Sequence, residues 1–157
     1  VRVQFTKISN ERHRIDVRRD GQPVETSTVE TKSLLFHDLV HYALETSAGL
    51  QDGFYGLLAQ GKSFTDLNDP EMPYAPGTQI SEIEKIVGPL QTALKGEVDP
   101  ARFVATLREM MLSANESLPL WVSEDVVSRS AKRMRALWGE WKATPFGQTI
   151  TLEWPPS

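Results

Sequence analysis

Residues 1–30 carry the alternation of strands. Val1, Val3 and Phe5 alternate with Arg2, Gln4 and Thr6, the period of two of a half-buried strand. After a turn at Ser9-Asn10-Glu11, Ile15 and Val17 alternate in the same way with Arg14, Asp16 and Arg18. Asp20-Gly21 predicts a two-residue hairpin, because both residue types tolerate positive φ. Val24 to Val29 reads as a third strand, and Pro23 places it at a sheet edge.

From about residue 33 to 142 the period changes to that of helices. Leu35, Phe36, Leu39, Val40 and Ala43 form one stripe, with Ser33 as the expected N-cap and Gly49 as the stop. A short helix follows from about Gly53 to Gln60, with Phe54, Leu57 and Leu58 turned inward. Residues 61–79 hold several Pro, Gly and acidic residues and predict the longest irregular stretch. Ile80, Ile83, Ile86, Val87 and Leu90 mark the next helix, which Gly88-Pro89 should kink or end. Asp99-Pro100 and Ser123-Glu124-Asp125 are clean helix starts. Ile150, Leu152 and Trp154 alternate with polar residues in a last strand, about 148–154. Strands, then four to five helices, then one strand predict an α+β fold. Its sheet is a single antiparallel one of about four strands, an N-terminal meander plus the C-terminal strand.

Composition narrows the function classes. The chain has 157 residues, the length of one domain, and 1–157 is read as a single one. With no cysteine, a disulfide scaffold, a thiolate metal site and a cysteine nucleophile are excluded. No apolar run is long enough for a membrane span. A net charge of −4 argues against nucleic acid as a partner. The opening VRVQF lacks the charged start and apolar run of a secretory signal, so the expected location is cytoplasmic.

Candidate chemistry concentrates in FHDLVHYALE. His37 and His41 stand four apart, on one helix face with Cβ atoms roughly 6 Å apart. That spacing lets two imidazoles share one metal ion, as in the helical HExxH signature of zinc hydrolases. Asp38 replaces the signature's Glu and is one methylene shorter, which weakens the protease analogy and leaves it to orient a ligand or act as a base. Glu45 is the local candidate for a third ligand to zinc or another divalent ion. It lies about 12 Å along the axis from His37, so a second carboxylate from Asp52 or the loop acids Asp66, Asp69 and Glu71 competes for the role. On a helical wheel these four residues also form the polar flank that any amphipathic helix carries. His41 and Glu45 would then be an ordinary i,i+4 pair.

Two other patterns carry less. GLLAQGKS, Gly56 to Ser63, matches a phosphate loop in its letters, but Leu57 to Gln60 favour helix and no strand precedes them. Gly61 reads instead as a helix stop. The bases Arg129, Lys132, Arg133 and Arg135 spread round the polar side of the last helix and form no stripe. His13 shares its strand face with Ile15 and Val17, the place of a structural histidine.

The HDLVHY segment followed by GFYGLLAQG, with the VRVQFTKIS opening, resembles a group of small uncharacterised bacterial proteins. The resemblance covers about residues 1–65 and implies a bacterial origin and no particular activity. Two functions stay open. The leading one is a non-catalytic binding or interaction protein, with a protein partner or homo-oligomer left open. The alternative is a metal-dependent enzyme, a hydrolase, with His37 and His41 as ligands.

Overall fold

The computed structural model describes residues 1–156. In chain order it contains β1 (Arg2–Lys7), β2 (Arg12–Arg18), β3 (Glu25–Glu30), α1 (Thr31–Ala48), α2 (Phe54–Ala59), α3 (Phe64–Leu67), α4 (Gln79–Ala93), α5 (Pro100–Ser113), α6 (Glu124–Ala143) and β4 (Thr149–Glu153). The strands form one antiparallel sheet of order β3-β2-β1-β4. This is the α+β arrangement that the pattern predicts. Among the described residues no helix is long and apolar enough to cross a membrane.

Register follows the apolar rows. Val3 pairs with Val17 and Leu152, and Phe5 with Ile15 and Ile150, so all six side chains fall on one buried face. A slip by one residue would turn each row to the other face. That other face is polar: Thr6 and Thr149 bond at 2.7 Å, and Asp16 takes Thr26 at 2.7 Å and Arg14 at 3.1 Å. β3 is an edge strand, as Pro23 suggests.

The β2–β3 connection differs from the expected two-residue hairpin. The last ladder pair is Val17 with Glu25, leaving a wider loop. Gly21 does take the positive φ of +70°. Arg19 is drawn off the ladder, donating to the carbonyls of Leu58 and Lys62 at 2.6 Å each.

α1 lies on the apolar face of the sheet and packs against α2, α4 and α6. It begins at Thr31, ahead of the expected Ser33, because no loop intervenes after β3. The Thr31 N–H donates to the Glu11 carbonyl at 2.8 Å. Gly49 ends it with φ 68°, its N–H on the Glu45 carbonyl. α4 does not end at Gly88-Pro89 but runs on to Ala93. Ile86, Val87 and Leu90 are fully buried on both sides of the break. The carbonyl that Pro89 leaves without a donor belongs to Lys85, an exposed position where water can serve it. Asp99 and Ser123 cap α5 and α6 through bonds to Arg102 N and Val126 N. Within the irregular 61–79 stretch α3 forms one turn, capped by Ser63 on Asp66 N.

His13 is fully buried between Phe5 and Trp141, with Nδ1 3.0 Å from Thr31 Oγ1 and Nε2 without a partner. Burial lowers its pKa to about 4, against a weaker upward pull from Asp38. The folded state therefore holds this ring neutral while the unfolded chain protonates it near 6.5. Its contribution to stability is complete above pH 6.5 and is lost as the pH falls towards 4. Urea unfolding of the parent and of His13→Gln from pH 7 to 4 should show a difference that shrinks by about 1.4 kcal/mol per pH unit in that window. A difference independent of pH would disprove this.

Candidate metal centre

The sequence-derived residues of α1 are not a solvated flank. His41 and Glu45 are 1% and 0% exposed, and Asp38 is 5% exposed. The flank reading fails because α2 and α4 cover the side of α1 that the wheel leaves to water. Only His37 keeps partial contact with solvent.

A buried carboxylate demands donors, and Glu45 has three. Oε1 accepts from the Phe54 N–H at 2.8 Å and lies 3.0 Å from His41 Nδ1, and Oε2 accepts from the Tyr55 N–H at 3.0 Å. The backbone must approach this carboxylate closely, which is the reason for glycine at 53: a Cβ there would land on Glu45. Glu45 is therefore not the third ligand. It accepts from Nδ1 of His41 and so turns the other ring nitrogen, Nε2, towards another partner.

That partner comes from α4. Glu84 places Oε1 2.8 Å from His41 Nε2 and Oε2 3.8 Å from His37 Nε2. One ligand atom from each of His37, His41 and Glu84 lies within 4.8 Å of the others. The ion-pair contact with Glu84 is the only partner of the buried Nε2 of His41 among the described residues. The imidazoles sit edge to face, centroids 4.7 Å apart. On the other side of His37, Asp38 Oδ1 is 3.5 Å from Nδ1. Both histidines thus have a carboxylate behind Nδ1 and Glu84 before Nε2.

The charges reinforce one another. Burial works against protonated His41, but Glu45 and Glu84 outweigh it and push its pKa up to about 9. Asp38 first, then Glu84, raise that of His37. Burial would raise the Glu84 carboxyl, yet the two histidines hold it down at about 2. A cation between the three groups would replace protons there.

The triad opens into a cleft of about 390 Å³ walled by Phe54, Leu67 to Pro70, Met72, Pro73 and Tyr74. Tyr74 donates to the Leu67 carbonyl and Asn68 to the Phe64 carbonyl. Of the acids that competed for the third position, Asp69 reaches the cleft wall, whereas Asp52 bonds Gln60 and Asp66 and Glu71 are exposed. Glu84 carried a signal in the sequence. It stands four after Ile80 and three before Val87, an acid within the apolar stripe of its helix.

The phosphate-loop letters do not form a phosphate loop. Gly56 to Ala59 are helical, and Gly61 takes φ +98° just after the helix. No known protein family matches this chain, no curated protein is similar to it, and no solved structure matches its fold.

Because Glu45 serves three donors at once, Glu45→Gln should lower stability by about 1–3 kcal/mol. Gly53→Ala should destabilise by a similar amount, about 1–3 kcal/mol, through overpacking. Urea denaturation of both variants checks this. Parent-like midpoints would show that the α1–α2 junction does not depend on this carboxylate.

Proposed function

We propose that this chain is a metal-dependent enzyme, a hydrolase, that binds one divalent cation on His37 Nε2, His41 Nε2 and Glu84. The observation that carries the reading is the grouping of one donor atom each from His37, His41 and Glu84 within 4.8 Å, with the fully buried ring of His41 oriented from behind by Glu45. A carboxylate behind each imidazole is the second partner that metal-ligating histidines carry.

The donor set fits. Two imidazoles and one carboxylate form a known catalytic zinc set with an open position for water or substrate, and also suit iron(II). Zinc–ligand bonds of about 2.1 Å would set the three donors about 3.4 Å apart, with His37 drawing in and Glu84 backing off His41 from 2.8 Å. His37 and Glu84 side chains are each 33% exposed and free to shift, while His41 is held. A bound divalent ion would lower the pKa of a water to about 7 and polarise a carbonyl.

The protein's own groups would do the rest. Glu45 and Asp38 hold the two rings by Nδ1. Asp38 also lines the cleft, where it can accept a proton from water attacking the substrate and return it to the leaving group. Phe54 and the 67–74 wall limit the water around the reacting centre.

Titrating purified, chelator-treated protein with Zn(II) should give one bound ion per chain. His41→Ala and Glu84→Gln should each weaken binding at least 100-fold, and Glu45→Gln about 10- to 100-fold. Glu82→Gln should bind like the parent, since Glu82 lies on the same helix but pairs with Trp121. Absence of stoichiometric binding in the folded parent, with Mn(II) and Fe(II) also tried, would overturn the reading.

A further inference from the structure

The cleft says something about what would occupy it. Its lining contains His37, Asp38, His41, Asp69 and Glu84 as ionisable groups other than Tyr74, and neither lysine nor arginine. Asp38, Glu45 and Glu84 together carry more negative charge than one divalent ion cancels, and half-buried Asp69 adds to it at the rim. Sites that act on phosphoryl groups or carboxylates place cationic or amide donors where the anion sits. Here Lys85, the neighbour of Glu84 in α4, is committed to Glu116 on the surface. Much of the remaining lining is apolar, with Phe54 beside His41 and Leu67, Pro70, Met72 and Pro73 along the loop.

We infer that the site takes a neutral or cationic carbonyl compound, an amide or ester with an apolar group, and discriminates against anionic substrates such as phosphate esters. This rests on the proposed metal site and names the substrate class for it. The carbonyl oxygen would meet the cation, the apolar group would lie on the Phe54 wall, and a positive substituent would face Asp69. Water adds to the carbonyl carbon, its proton passing to Asp38. The carbon–nitrogen or carbon–oxygen bond breaks, and that proton leaves with the amine or alcohol, giving a carboxylic acid. The product is an anion, which the same field repels from the cleft.

The test uses the zinc-loaded full chain and three ligands with one metal-binding head: benzohydroxamic acid, its 4-aminomethyl derivative (cationic) and its 4-carboxy derivative (anionic). Zinc content is measured first, so that failure of the metal site is seen separately. The aminomethyl compound should bind at least tenfold tighter than the carboxy compound, with benzohydroxamic acid between them and the gap narrowing at high salt. Asp69→Lys should shrink or reverse the order. Met72→Lys, at a position 59% exposed, should do the same while Asp69 keeps the bond it accepts from the Glu71 N–H at 2.9 Å. Equal or tighter binding of the carboxy compound to zinc-loaded protein would overturn the inference, as would binding of none of the three. A chain that takes up no zinc would remove the reading beneath it.

Discussion

A charge held out of water sets the terms for one side of this molecule. The carboxylate of Glu45 is wholly buried, which costs several kcal/mol unless donors surround it. The two N–H groups of the α2 N-terminus and the ring of His41 supply them. From that requirement follow the tight turn after α1, the glycine at 53 and the ring orientation that turns His41 Nε2 to Glu84. Tyr55, held in the same turn, returns its hydroxyl to the Asp38 carbonyl at 2.9 Å, so both histidine segments of α1 are tied to α2.

Rigidity and freedom are divided across the triad. His41 is immobilised by burial, by Glu45 and by packing on Phe54, with ring centroids 5.8 Å apart. His37 and Glu84 stand half in solvent on two different helices. One fixed donor and two adjustable ones suit a centre that must change its coordination during a reaction. The sheet stands apart from this chemistry. It supports α1 with an apolar face and spends its polar face on cross-strand pairs.

Much of the fold was legible because its signals are local. Alternation in β1, β2 and β4 marks one-sided burial, and Asp99-Pro100 and Ser123 announce caps whose bonds lie within a turn. The failures share a cause, which is that tertiary neighbours are invisible in one chain's pattern. Pro89 is a breaker until Ile86 and Leu90 are buried around it. Asp20-Gly21 suggests a hairpin until Arg19 finds the carbonyls of Leu58 and Lys62. At the site, HDxxH puts His37 and His41 side by side on one face of α1, ring centroids 4.7 Å apart. It also assigned Glu45 by adjacency along α1, when the geometry gives that residue to His41's other nitrogen. Glu84 lies 43 residues beyond His41. Only its acid among isoleucines hinted that something across the helix interface needed it.

The pairing of β1 with β4 joins segments from opposite ends of the described chain, and Tyr42 on α1 also donates to the Glu153 carbonyl at 2.9 Å. During synthesis on a ribosome, β1, β2 and β3 can assemble early with α1 across them. β1 must then wait with an open edge while every helix is made. An unpaired strand edge invites pairing with other chains, and contacts of such sequence separation form slowly. The interval before Thr149–Glu153 emerges is therefore the most aggregation-exposed period in the life of this protein, and a chain stopped short of β4 would keep that edge for good.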